Sequence, residues 1–258
     1  MGIINITPDS FYAGSRWQGI DEVLKQAEKM VGEGAAILDI GGQSTRPGAE
    51  RVGEDTETER VVPVIKAVSN AFPQVEISVD TFYSRVASLA VEAGATLVND
   101  VSGGLMDVNM LSVVAGLQVP YVCMHMQGEP NTMQQHPEYA DVTVDVLDFF
   151  IRRIEACRKA GITDIVIDPG FGFGKTITHN FTLIRQFETF KILGVPLLMG
   201  ISRKSTIYKT LGISPEEALN GTTVMHTFGL MKGANILRVH DVREAREAIE
   251  LVNRLVGI

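Results

Sequence analysis

The sequence is short of the features that mark several protein classes. Among 258 residues there are two cysteines, Cys123 and Cys157. Neither belongs to a CxxC pair, so no disulfide framework is expected, and a reducing cytoplasm is the expected location. No apolar run approaches the roughly 20 residues needed to span a bilayer, so no membrane partner is expected. No basic segment followed by an apolar one opens the chain, which argues against a signal peptide. Met1-Gly2 begins like a myristoylation site, but Ile6 stands where Ser or Thr is needed. With 23 basic and 31 acidic residues the net charge is −8, and no block of like charges departs from that balance. A nucleic-acid surface built on bulk charge is thereby excluded. HExxH, GxSxG and a GxGxxG after the first strand are also missing, and the Gly174-Lys175-Thr176 segment fails as a Walker A loop because Pro169 occupies its first glycine position. Serine-nucleophile and zinc chemistry have no support. Positioning and electrostatics are left as the catalytic devices.

What is present is an ordinary globular composition, 45% apolar and 21% charged, with 25 glycines gathered in clusters. Eight short apolar runs recur along the chain: 2–7 (GIINIT), 36–41 (AILDIG), 76–81 (EISVDT), 96–101 (TLVNDV), 120–125 (PYVCMH), 164–168 (DIVID), 196–202 (PLLMGIS) and 236–241 (ILRVHD). Near-continuous runs of this kind fit strands of a parallel sheet buried on both faces. Between them lie helical spacings, as in Val23, Leu24, Ala27, Met30 and Val31, in Val146, Phe149, Phe150, Ile154 and Cys157, and in Val242, Ala245, Ile249 and Val252. Gly34, Gly94, Gly161, Gly194 and Gly233 stand where helices should close before the next strand. Eight strands, each with a following helix, predict an α/β protein, a single (β/α)8 TIM barrel spanning 1–258 with its active site at the C-terminal mouth of the strands. A doubly wound open sheet is the competing architecture. The chain begins inside the first strand, so an N-terminal segment capping the barrel's bottom is expected to be missing.

Polar residues gather where the runs end: Asn5, Asp39, Asp80, Asn99, His125, Asp168, Arg203 with Lys204, and Arg238 with His240. In a barrel these ends converge on one mouth. Asp39 could instead cap a turn, Asn99-Asp100 could be turn chemistry, and His125 could bond within the barrel wall. Asp80 and Asp168 each close an apolar run and are harder to explain away. Asp80, Asn99 and Asp168 suit the adjacent N–H donors of a planar amino-pyrimidinone ring. Lys204, Arg238, His240 and the loop residue Arg46 suit an anion such as phosphate. Asn5 is a neutral oxygen donor of the kind Mg²⁺ accepts beside phosphate.

At these residues the sequence resembles the dihydropteroate synthases, the pterin-barrel enzymes of folate biosynthesis. The resemblance is carried by MGIINITPDSF (1–11), DIGGQSTRPG (39–48), SVDT (78–81), VNDVSGG (98–104), MHMQG (124–128), DPGFGFGKT (168–176), GISRKS (200–205) and RVHDV (238–242). SVDT alone would be weak, but all eight in order are specific and cover nearly the whole chain. The resemblance implies a pterin pocket of Asp80, Asn99, Asp168 and Lys204, with Asp80, Lys204 and Arg238 as catalytic residues. It implies diphosphate held by Asn5 through Mg²⁺ with Arg238 and His240, and a p-aminobenzoate slot with Ser205 and Phe173. Two loops, 9–17 and 43–51, would bring Phe11, Thr45, Arg46 and Pro47 to the site. The implied reaction joins p-aminobenzoate to 6-hydroxymethyl-7,8-dihydropterin diphosphate, in a cytoplasmic homodimer that sulfonamides inhibit. Gln43 stands where the family commonly has Glu, so any salt bridge of that loop must differ. A pterin-binding methyltransferase would share the carboxylates but has no need of the Arg238–His240 cations, and its DxHxxG corrinoid signature is absent. A non-catalytic pterin-binding barrel would be expected to have lost Asn5, Lys204, Arg238 or Thr45-Arg46, and none is lost.

Overall fold

The computed structural model describes residues 1–6, 16–43, 51–128 and 137–257, with only the backbone of 16–18. Each predicted apolar run contains a strand: β1 (Gly2–Asn5), β2 (Ile37–Gly41), β3 (Glu76–Asp80), β4 (Leu97–Asp100), β5 (Tyr121–Met124), β6 (Ile165–Asp168), β7 (Leu198–Met199) and β8 (Ile236–Leu237). The helices are α1 (Arg16–Gly32), α2 (Glu54–Ala71), α3 (Ser84–Glu92), α4 (Met110–Leu117), α5 (Val142–Ala160), α6 (Ile177–Arg185), α7 (Ser205–Leu211), α8 (Leu219–Met231) and α9 (Val242–Val256), with a 3-10 helix at Phe187–Leu193.

All the pairings are parallel. β1 to β6 lie in sequence order in one sheet, and β7 pairs with β8. A bridge between Ile167 and Leu197 joins β6 to the start of β7, and one between Gly2 and Val239 joins β8 back to β1. The Ile3 N–H donates to the Val239 carbonyl at 2.9 Å and the Ile167 N–H to the Pro196 carbonyl at 3.0 Å. The ring of strands is therefore closed, which decides for the barrel over the open sheet. β7 and β8 are only two residues long, and pairing continues past β8, where the Arg238 N–H donates to the Met199 carbonyl at 3.1 Å and the Val239 N–H to the Met1 carbonyl at 2.9 Å.

The amphipathic spacing is explained by what each helix covers. Val23, Ala27 and Met30 of α1, Val146, Phe150, Ile154 and Cys157 of α5, and Val242, Ala245 and Val252 of α9 are buried in the layer between strands and helices. A separate cluster of Leu97, Val122, Val166 and Leu198, with Met1 and Ile236 against it, fills the barrel interior away from the polar strand ends. The five glycines expected at helix ends all have positive φ. No described helix is long and apolar enough to cross a membrane.

Candidate active site

The mouth is built on an ion-paired lattice that local sequence does not announce. Asp39, in β2, is completely buried. Its Oδ2 accepts from Arg238 Nε at 2.6 Å and from Asn99 Nδ2 at 3.1 Å. Arg238 Nη2 also donates to Asp80 Oδ2 at 2.7 Å. One guanidinium thus joins two carboxylates on neighbouring strands, and Asn99 completes the group from β4. Burial works against the Arg238 charge, but Asp39 and Asp80 outweigh it and raise its pKa. Burial is also the main influence on Asp80, raising it to about 7 against the opposing charge of Arg238. Asp39 is therefore a buried partner of Arg238 rather than a turn cap.

A second group lies across the mouth. Asp168 Oδ1 accepts from the Gly170 N–H at 2.8 Å. Burial raises its carboxyl above the usual range, with Lys204 the largest opposing charge. Lys204 Nζ donates to the Phe171 carbonyl at 2.5 Å and lies 4.6 Å from the centre of the Phe173 ring. Burial lowers Lys204 to about 8, although Asp168 favours its charged form. Gly200 separates the two: a Cβ there would lie 3.3 Å from Asp168 Oδ2 and 3.8 Å from Lys204 Nζ. Phe173 packs with Phe82, Val101 and Met124 in an apolar cluster distinct from the main core. A flat ring at this mouth would meet carboxylates and an amide at its edge, and aromatic and thioether surface nearby.

The adjacent pair Asn99-Asp100 divides its work. Asn99 turns into the mouth. Asp100 accepts from the Ser102 N–H at 2.8 Å, the Ser102 hydroxyl at 2.7 Å, the Gly104 N–H at 2.8 Å and the Tyr121 hydroxyl at 2.8 Å, so it is wholly engaged in shaping the 102–104 loop. His125 belongs to the wall. Its Nδ1 is 2.8 Å from Lys175 Nζ, which also donates to the carbonyls of Gly170 and Phe173 at 3.0 Å and of His125 at 3.3 Å. Burial, then the Lys175 charge, pulls the His125 ring to about 2. The lysine that resembled a phosphate-loop lysine is thus a buried fastening between two strand-end loops. Glycines are required where those loops touch: with positive φ at Gly170 and Gly174, an added Cβ would collide with the carbonyl oxygens of His125 and Gln127.

His240 is exposed at the rim, with Nδ1 3.0 Å from Ser202 Oγ. Desolvation by the packed mouth, then the Arg238 charge, lowers its ring to about 4. Ser205 opens α7 directly after Lys204. Asn5 ends β1 with its side chain exposed, and its register partner Gly41 is in turn paired with Asp80. Thr45, Arg46 and Pro47, like Phe11, lie outside the described residues. At the edge of that second segment the Gln43 Oε1 accepts from the Val52 N–H at 2.9 Å, a neutral bond where a glutamate would bring charge. Sequence reasoning placed Arg203 among the polar strand ends without giving it a ligand, rejected Lys175 as a phosphate-loop lysine, and did not single out Glu57. Glu57 is a fully buried carboxyl group in α2, near Thr81 and the Asp80 charge.

Residues 1–240 match the family model described as pterin binding enzyme. The dihydropteroate synthase of Escherichia coli K12 is 42% identical over 254 residues, covering 98% of this chain and 89% of the relative. Among solved structures, the Yersinia pestis dihydropteroate synthase in a sulfonamide drug complex superposes with a TM-score of 0.94 at 41% identity, over 100% of this chain and 94% of that one. The Clostridium difficile dihydropteroate synthase, crystallised in the presence of pteroic acid, superposes with a TM-score of 0.92 at 40% identity, over 99% of this chain and 95% of that one.

Proposed function

The chain belongs to the pterin-binding enzyme family, and from that premise we propose that its barrel mouth forms 7,8-dihydropteroate. The protein is a transferase, a dihydropteroate synthase of folate biosynthesis, and the group it transfers is the pterinylmethyl group, an alkyl group other than methyl. The observation that carries the assignment of the site is the convergence of Asp80, Asn99 and Asp168 with Lys204 and Arg238 at one end of one barrel.

In this reading Asp168, Asn99 and Asp80 take the pterin edge, and Lys204 closes the pocket over it. The bond between the pterin methylene carbon and the diphosphate oxygen breaks, the p-aminobenzoate nitrogen bonds to that carbon, and the amine gives up a proton. Positive charge growing on the pterin is stabilised by the buried carboxylates, and negative charge on diphosphate by the Arg238 charge with an N–H of the neutral His240 ring. Arg238 spends Nε on Asp39 and one Nη2 hydrogen on Asp80, so Nη1 is the group that would reach diphosphate with both ion pairs kept. Ser205 and Phe173 flank the p-aminobenzoate slot, and Thr45, Arg46 and Pro47, outside the described residues, are assigned to substrate binding by the resemblance alone.

Magnesium fits Asn5. The described residues contain no group of three or more His, Cys, Asp or Glu side chains able to hold a metal. A single exposed carboxamide suits an ion held chiefly by diphosphate oxygens and water. There Mg²⁺ would neutralise charge on the leaving group. Two buried free thiols agree with a reducing cytoplasm. A homodimer is supported by exposed apolar side chains on α8 (Val224, Phe228, Met231) and α9 (Leu251, Leu255).

A coupled assay of diphosphate release tests the reading. Release should require both p-aminobenzoate and the dihydropterin diphosphate, fall on chelation of Mg²⁺, and be inhibited by a sulfonamide. Absence of p-aminobenzoate-dependent release would overturn it.

A further inference from the structure

Arg203 stands between two residues of the mouth, and its own side chain points elsewhere. Its φ of 52° lies in the left-handed region. Among the described residues the only other non-glycine there is Gln118, which ends helix α4, a common position for that conformation. Arg203 has no such excuse, and a strained backbone persists only where its surroundings over-determine it. Those surroundings are visible. Its N–H donates to Thr222 Oγ1 in α8 at 3.0 Å. Its guanidinium makes a two-pronged ion pair with Asp241, Nε to Oδ2 at 2.8 Å and Nη2 to Oδ1 at 2.9 Å. Nη1 donates to the carbonyls of Pro215 at 3.0 Å and Glu216 at 2.6 Å.

The partners come from two separate parts of the chain, the segment after β8 and the α8 region. Asp241 follows β8 and directly succeeds His240, Pro215 and Glu216 precede α8, and Thr222 lies within it. The flanking residues face the mouth: the Ser202 hydroxyl accepts the His240 N–H at 3.2 Å and meets its ring, and Lys204 reaches the Phe171 carbonyl. A planar fork is needed to satisfy two carboxylate oxygens and two carbonyls at once, which lysine cannot do.

We propose that Arg203 is a positioning residue that, through Asp241 and the start of α8, holds Lys204 and His240 in one fixed relation across the β7–α7 and β8–α9 connections. Ring recognition and leaving-group contact are thereby set by the same clamp. The inference rests on the proposed reaction for its kinetic consequence, and on geometry alone for its structural one.

The test uses the full chain with Arg203→Lys, which keeps the charge but loses the fork, and Asp241→Asn, which keeps the shape but loses the ion pair. Each should lower kcat roughly tenfold or more, and the double variant should be little worse than either single one, as expected of residues acting as a unit. The NMR signals of the His240 ring, assigned with His240→Gln, should shift in both variants while circular dichroism is unchanged. Wild-type kcat and KM in both variants, or kcat losses that simply multiply in the double variant, would overturn the proposal. If the wild-type chain releases no diphosphate, the reaction assignment fails instead, and an unmoved His240 ring would still overturn the clamp.

Discussion

Lys204 and Glu57 show how burial acts on single charges in opposite directions. Lys204 is lowered to about 8, first by burial. If its charge serves substrate binding, kcat/KM for the dihydropterin diphosphate should decline as pH rises through about 8, and Lys204→Ala should reduce it at least tenfold with circular dichroism unchanged. Turnover within twofold of wild type would make Lys204 scaffold. Glu57 is raised to about 7, chiefly by burial and next opposed by Thr81, while the Asp80 charge adds to the rise. The native state therefore holds this proton more tightly than the unfolded chain does. Stability falls as pH rises from about 4.5 to about 7, and the loss persists above that, amounting to about 3 kcal/mol at most. Glu57→Gln should be close to wild type at pH 5 and relatively more stable at pH 8 in urea unfolding. An equal difference at the two pH values would contradict the burial account.

At the scale of elements, the loop after β6 shows how a strand end is made rigid. Lys175 fastens it to the β5 end, and the Thr176–His179 capping box starts α6 immediately after. Lys175→Met would leave the His125 ring nitrogen and three carbonyls without their donor. A loss of about 3 kcal/mol in denaturant unfolding is expected, together with weaker p-aminobenzoate binding through displacement of Phe173. An unfolding midpoint like that of wild type would contradict the fastening role. The strands and helix ends were legible because each depends on spacing within ten or twenty residues, as in the IVID run of β6 or the Gly161 stop of α5. Lys175 was not, because its Gly-Lys-Thr context resembles a phosphate loop and its true partner, His125, lies 50 residues away. The local pattern put Asn99 at the mouth but left turn chemistry open for the Asn99-Asp100 pair; both hold, one residue each, because a β-strand places neighbours on opposite sides.

On the scale of the whole molecule, closing the barrel turns scattered residues into a site. Asp39 and Arg238 are 199 positions apart, yet Arg238 Nε donates to Asp39 Oδ2 at 2.6 Å, a pairing no linear pattern contains. The convergence of polar strand ends was readable, because carboxylates at the ends of apolar runs need a common explanation. Their ion pairing was not. The net charge of −8 likewise says little about a mouth where Arg238 and Lys204 sit among three buried carboxylates. If the apolar side chains of α8 and α9 face a second copy, Met231→Glu with Leu255→Glu should convert a dimer to a monomer in sedimentation velocity, and an unchanged sedimentation coefficient would remove that face from the interface. The central claim is that the carboxylates of this mouth recognise the pterin ring. Calorimetric titration of 6-hydroxymethyl-7,8-dihydropterin diphosphate into the wild-type chain and into Asp168→Asn tests it most directly. The account predicts a loss of about 3 kcal/mol, or about 10²-fold in Kd, in the variant, because an oxygen that accepts an N–H becomes a donor facing a donor. Equal affinity in the two proteins would contradict it.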